Sequence, residues 1–168
     1  MVVAGTADAL NMDNLAIVRA AAPTDRESLA ALKEEWAALA APATAVERAE
    51  FVRTLERWMG ERGESVVCLV AELQGSLIGM AWLIIFERVP NIRDVRRRTG
   101  DIQSVFVRPD FRGAGVGRQL ISGLVGVADE MGIPRVTVSA NSRAASLYES
   151  QGFVTTPTLL ERSARTAR

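Results

Sequence analysis

The stretch Asp101-Ile-Gln-Ser-Val-Phe-Val-Arg-Pro-Asp-Phe-Arg-Gly-Ala-Gly-Val-Gly-Arg118 orders a strand, a sharp turn, a glycine-rich loop and a helix start. A glycine-rich loop at a helix start presents backbone N–H groups without a Cβ in the way. The helix dipole adds roughly half a positive charge at the same end. Arg112 and Arg118 bracket the loop with two side-chain cations. The segment therefore predicts a cradle for a phosphate group, and more specifically a pyrophosphate. No Gly-Lys-Ser/Thr follows, so it is not a Walker loop. The glycines at 113, 115 and 117 lack the Gly-x-Gly-x-x-Gly spacing of a dinucleotide fingerprint. The competing structural role for Gly115 and Gly117 is a tight strand-to-helix turn.

Around this stretch, the 168 residues suit one domain with its own core. With 48% hydrophobic and 24% charged residues, the composition is that of an ordinary soluble globular protein. Lys plus Arg number 20, as do Asp plus Glu, and the zero net charge speaks against a dedicated nucleic-acid binder. The single cysteine, Cys68, excludes an intrachain disulfide and points to a reducing cytoplasm. The absence of histidine removes His-based triads, His metal ligands and a histidine base together; no metal is expected. Residues 1–14 carry Asp8 and Asp13 and no basic residue, which reads as a loose leader and not a signal peptide. The longest uncharged run, 73–86, is too short for a membrane span of roughly 20 residues.

Along the chain, residues 15–21 predict a first strand. Thr24 with Glu27 predicts a capping box opening a helix to about residue 40, with Leu29, Leu32, Trp36 and Leu39 at helical spacing. Thr44 with Glu47 opens a second helix over 46–62. Residues 66–73 and 76–86 read as strands joined at Gln74-Gly75. A long polar loop over 87–100 precedes a fourth strand, 102–107. A helix over 116–131, a fifth strand over 135–139, a short helix over 142–151 ended by Gly152, and a last strand over 153–158 complete the order. The tail 161–168 is charged. The helix between the fourth and fifth strands makes those two parallel, while the earlier pairs are antiparallel.

A second run carries the functional signal further: Asn141-Ser-Arg-Ala-Ala-Ser-Leu-Tyr148-Glu-Ser-Gln-Gly-Phe153. With Arg112-Gly113-Ala114-Gly115-Val116-Gly117 upstream at the right separation, the chain from residue 15 to 160 resembles the GNAT superfamily of acyl-CoA-dependent N-acyltransferases. The resemblance implies a mixed α/β fold: a mostly antiparallel sheet of about six to seven strands, flanked by helices, with strands four and five parallel and splayed. It implies acetyl-CoA as co-substrate. The pyrophosphate would sit on residues 112–118, with Arg118 closing the loop. The pantetheine arm would pair with the backbone of Val105, Phe106 and Val107, and Asn141 would touch that arm. Tyr148 would stand near the sulfur. The acceptor implied is a primary amine of a small molecule, peptide or protein, and a homodimer is common in the family.

The chemistry can be set beside these implications. The resemblance implies Tyr148, the only tyrosine, as general acid, and a phenol, protonated at neutral pH, can donate to a departing thiolate; its alternative is a packing tyrosine. The attacking ammonium must lose a proton. Asp101, at the start of the fourth strand, and Glu87, at the end of the third, are the candidate bases, and Asp101 could instead bind the amine's charge. Strand alternation predicts Asp101, Gln103, Val105 and Val107 on one face. Cys68 reads as a small buried hydrophobe, which favours direct transfer without an acyl-enzyme. Arg93, Arg96, Arg97 and Arg98 read as a solvated loop balanced by nearby acids, or as a patch attracting an acidic substrate, a CoA phosphate or RNA. Trp36, Trp58 and Trp82 read as core, with Trp36 and Trp58 able to line an acceptor pocket. A non-catalytic acyl-CoA-binding sensor on the same fold is the alternative function.

Overall fold

The apolar runs on either side of Gln74-Gly75 pair as a hairpin, β2 (Val66–Leu73) with β3 (Ser76–Glu87). Gln74 and Gly75 both have positive φ, 49° and 77°, as a two-residue turn of this twist requires. The computed structural model describes residues 16–38 and 41–157. Its remaining elements are β1 (Ile17–Ala20), α1 (Arg26–Ala37), α2 (Ala45–Arg62), β4 (Arg98–Val107), α3 (Val116–Glu130), β5 (Val136–Val138) and α4 (Ala145–Glu149). The sheet runs β1-β2-β3-β4-β5, antiparallel except for the parallel β4–β5 pair.

Both sheet faces are covered, which is why β2 and β3 are apolar at nearly every position. On one face Leu120, Ile121 and Leu124 of α3 pack against Leu69, Ile78, Leu83 and Ile102. On the other, Leu29 and Leu32 of α1 and Leu55 of α2 meet Cys68, Val70, Met80 and Trp82. Each fully buried side chain of this size contributes about 1.5–3 kcal/mol. Gly123 lets α3 lie close to the sheet, since an added Cβ would come within 2.7 Å of Leu69 Cδ1.

The elements match the expected order of a mixed α/β fold with a splayed parallel pair, and three details differ. The sheet has five strands among the described residues, not six or seven. Residues 153–157 form no strand; Gly152, at φ 85°, turns the chain back so that Phe153 packs on Tyr148, and Pro157 has no N–H for a ladder. The first capping device lies earlier than Thr24/Glu27: Pro23–Asp25 is a 3-10 turn, and Ala22 N donates to Asp25 Oδ2 at 2.6 Å. Thr44 and Glu47 do form the second capping box. The long loop narrows to residues 88–97, because Thr99 and Gly100 join β4 opposite Phe86 and Ile85. The expected leader 1–14, the tail 161–168, and residues 15, 39, 40 and 158 lie outside the described residues.

Arg19 fastens the sheet edge to the start of α1. It donates to both oxygens of the buried Asp25 (2.7 and 2.9 Å) and to Glu72 (2.8 Å). The Arg19 guanidinium holds the Asp25 carboxyl below its usual range against the opposing effect of burial.

Candidate active site

The parallel pairing of β4 with β5 lasts only from Gly100–Val136 to Ile102–Val138. Beyond Ile102, β4 continues to Val107 paired with β3 alone, so its other edge is open over residues 103–107. A bulge sits at the start of this open edge. Met80 pairs with Phe106 and Trp82 with Gln103, so two steps on β3 span three on β4, and Ser104 takes the extra position at φ 49°.

The bulge corrects the expected alternation. Asp101 and Gln103 share a face with Phe106, toward α1 and α2, while Ile102, Val105 and Val107 pack on the α3 side. Asp101 and Gln103 therefore do not share a face with Val105 and Val107. Asp101 accepts from Thr137 Oγ1 (2.9 Å) and from Gln103 Nε2 (2.7 Å). Glu87 is exposed and pairs with Arg98, at the far end of β4, about 20 Å along the strand from Val105.

From Val107 the chain makes a 3-10 turn at Pro109–Phe111 and enters the glycine loop. Gly113 and Gly115 hold φ of 82° and 81°, and Gly115 is the N-cap of α3. The amides of residues 113–118 donate to no carbonyl or side chain among the described residues, so the loop and first helical turn offer consecutive free donors. Gly117 has no positive φ, and a Cβ there would make ordinary contact with Leu147 at 3.5 Å. Arg112 folds back, donating from Nε to the Val107 carbonyl (2.9 Å) with its guanidinium 5.8 Å from the Phe106 ring centre, and so ties the loop to β4. Arg118 is exposed and has no ion-pair partner among the described residues.

Tyr148 is placed by the end of α4. Gly152 N donates to Glu149 O (3.0 Å) and Phe153 N to Tyr148 O (3.1 Å), a Schellman ending whose apolar contact is the Tyr148–Phe153 edge-to-face pair at 5.6 Å. The tyrosine is buried in the cluster that also takes Val105, Val107 and Leu147. Its hydroxyl makes no hydrogen bond among the described residues, and burial pushes its pKa up. Asn141 is exposed, and its Oδ1 accepts from Ala144 N (3.0 Å), which fixes the turn before α4.

On the opposite wall, sequence reasoning anticipated Trp58 and missed Lys33 and Ser104. A cavity of ≈ 260 Å³ opens beside the bulge between α1, α2, β3 and β4, lined among others by Lys33, Phe51, Trp58, Trp82, Gln103 and Ser104. Lys33 Nζ donates to Ser104 Oγ at 2.7 Å and lies 4.7 Å from the Trp36 ring centre. Burial lowers the Lys33 pKa. Trp58 meets Trp82 edge-on at 6.2 Å, and Trp82 Nε1 is buried with no acceptor among the described residues. Trp82 is core with a face on the cavity, Trp58 lines the cavity, and Trp36, half exposed, is not among the lining residues. A dent of ≈ 390 Å³ against α1 shares no residue with β4.

Cys68 is buried, and burial beside the Asp25 charge pushes its thiol well above the usual range, so it is no nucleophile at neutral pH. Arg97 and Arg98 have structural partners: Arg97 donates to Val89 O, and Arg98 to Met131 O at the end of α3. No group of three or more Asp, Glu, Cys or His able to hold a metal occurs among the described residues. No described helix is long and apolar enough to cross a membrane.

The pattern of the acetyltransferase (GNAT) family matches residues 30–153. Over 79 residues the chain is 33% identical to a glucosamine 6-phosphate N-acetyltransferase of Trypanosoma brucei brucei, a match covering 47% of this chain and 52% of that protein. The chain thus spans about half the length of that relative. Over 108 residues it is 32% identical to an uncharacterised N-acetyltransferase of Archaeoglobus fulgidus, covering 60% of this chain and 67% of that one. Its fold is similar to that of a predicted acetyltransferase from Clostridium acetobutylicum crystallised with acetyl-CoA: TM-score 0.71, 21% identity, 89% of this chain and 96% of that one.

Proposed function

The chain belongs to the acetyltransferase (GNAT) family, and we propose that it moves an acetyl group from acetyl-CoA directly to a primary amine of a small molecule, peptide or protein. One observation carries the reading: the open edge of β4 runs from the Ser104 bulge to Val107 and on into the free amides of residues 113–118. A long thiol ester with a pyrophosphate tail needs both, an extended hydrogen-bonding edge and an anion cradle at its end. The co-substrate supplies an acyl group already activated as a thioester.

The chain's own groups take the following parts. The amides of Gly113, Ala114, Gly115, Val116, Gly117 and Arg118 bind the pyrophosphate, and Arg112 and Arg118 add charge. The strand formed by Val105, Phe106 and Val107 aligns the pantetheine arm, with the Val107 carbonyl held by Arg112 Nε, and Asn141 meets the arm from the α4 side. Backbone N–H groups near the bulge polarise the acyl oxygen. Tyr148, protonated and without a competing partner among the described residues, gives its proton to the departing thiolate. Asp101 receives the amine's proton through water, since the bulge is three residues, about 10 Å, along the strand. The position of Glu87 lends no support to the same role. One similar protein is named for acetyl transfer to glucosamine 6-phosphate, a small amine, which supports a small-molecule acceptor here.

The test is thiol release from acetyl-CoA across amines, amino acids, polyamines and N-terminal peptides, with Tyr148→Phe as partner. Turnover that falls by about 10²-fold or more in the variant, with CoA affinity retained, is the expected result. CoA binding with no amine driving thiol release would make the chain an acyl-CoA-binding module instead.

A further inference from the structure

Lys33 is the only lysine of the chain; every other basic residue is arginine. It is also the cation of the cavity beside Ser104, and it has no carboxylate within ion-pair distance among the described residues. Its acidic neighbours on α1 are engaged elsewhere, Glu34 with Arg48 and Glu35 with Arg108. A half-buried ammonium without a counter-ion bears a desolvation cost that an arriving anion would offset. Ser104 points the same way: its Oγ accepts from Lys33, which leaves its own proton to give. Gln103 also lines the cavity, and its Nε2 donates to Asp101, which leaves its Oε1 to accept. Between them Phe51, Leu55, Trp58 and Ile84 form an apolar wall.

We propose that this cavity selects a small primary amine that also carries an anionic group and an apolar body, with Lys33 reading the anion. This deepens the acetyl-transfer reading and rests on it for the role of the amine. The anion sits on Lys33 and Ser104, the ammonium faces the neighbouring Gln103 side chain, and the apolar body lies against Trp58 and Phe51. The ≈ 260 Å³ available holds one amino-acid-sized molecule. A peptide has an amide where this site asks for a charge, so peptides are poorer acceptors than free amino acids of the same side chain. Carboxylate and phosphate share the required chemistry.

The experiment compares ligands of one apolar body: phenylalanine, phenethylamine, 3-phenylpropionate and the phosphonate analogue of phenylalanine. Thiol release measures transfer, and tryptophan fluorescence measures binding independently of it. In the unmodified protein phenylalanine or its phosphonate exceeds phenethylamine by about tenfold in kcat/KM, the worth of one charge-assisted hydrogen bond; the better of the two tells carboxylate from phosphate. Lys33→Met removes that preference, lowering phenylalanine turnover by more than phenethylamine turnover, and weakens 3-phenylpropionate binding by about tenfold. Lys33→Arg retains part of the preference. Binding of 3-phenylpropionate that depends on Lys33, with no amine acetylated, supports the anion site and overturns the transfer reading. Phenethylamine equal to or better than phenylalanine in the unmodified protein overturns the proposal without any variant. So does an equal loss for both amines in Lys33→Met, which would make Lys33 a prop for the bulge.

Discussion

Replacing Gly115 with alanine tests whether the loop's amides hold the pyrophosphate. Gly115 caps α3 at φ 81° and ψ −1°, and a Cβ there meets no atom within 4 Å. The cost to folding is therefore purely conformational, about 1–2 kcal/mol for an L-residue in the left-handed region. For a chain of this size that lowers Tm by about 2–8 °C. If the backbone relaxes to negative φ, the amides that follow turn away from their common focus. Losing one charge-assisted hydrogen bond, about 1.5–3 kcal/mol, raises the Kd for CoA by roughly 10–150-fold. Gly117→Ala is the control. Gly117 needs no positive φ, and its Cβ would make ordinary contact with Leu147 at 3.5 Å. Calorimetric titration with CoA and with pantetheine, which lacks the pyrophosphate, separates the effects. Gly115→Ala is expected to weaken CoA and leave pantetheine alone, and Gly117→Ala to change neither. Intact CoA affinity in Gly115→Ala, or equal losses in both variants, would refute the cradle.

Three further outcomes follow from the packing. Burial raises the Tyr148 pKa above its usual value near 10, so kcat should show no basic limb from this phenol below about pH 10; a limb at lower pH that vanishes in Tyr148→Phe would contradict its role. Asp25→Ala leaves Arg19 and Ala22 N without their buried partner and should cost about 3 kcal/mol, or roughly 6–12 °C in Tm. Because the folded pKa of Asp25 is depressed, its contribution is full above the unfolded value near 3.9 and is lost as pH falls through the folded value; a variant whose deficit against the native protein persists undiminished at pH 2 would contradict this. Cys68 should resist thiol reagents until the protein unfolds, and Cys68→Ala should retain kcat; fast labelling of the native protein would place the thiol elsewhere.

Much of the fold is legible because its signals are local. The apolar run 66–73, the Gln74-Gly75 turn and the 3.6-residue period of α3 each depend on residues close in sequence. The Thr24 box misled because Asp25, the next residue, is drawn inward by Arg19 and takes the capping bond itself. The last strand failed for a related reason: Phe153 has β propensity, but Gly152 commits it to closing over Tyr148.

By itself the sequence determined the strand–loop–helix order at residues 101–118 and the helix that makes β4 and β5 parallel. Those follow from glycine's access to positive φ and from periodicity; Tyr148 as candidate acid came with the family resemblance. Only the tertiary structure decided which way the strand's side chains face at the site. The bulge at Ser104 arises from the register β4 adopts against β3, and no local period encodes it. It turns Asp101 and Gln103 toward the helices and brings Ser104 to Lys33, 71 residues away in the chain. A single lysine among arginines was visible all along; that it stands half-buried, unpaired among the described residues, beside the open edge of β4 is a fact of packing, because only a folded chain can take water away from a charge.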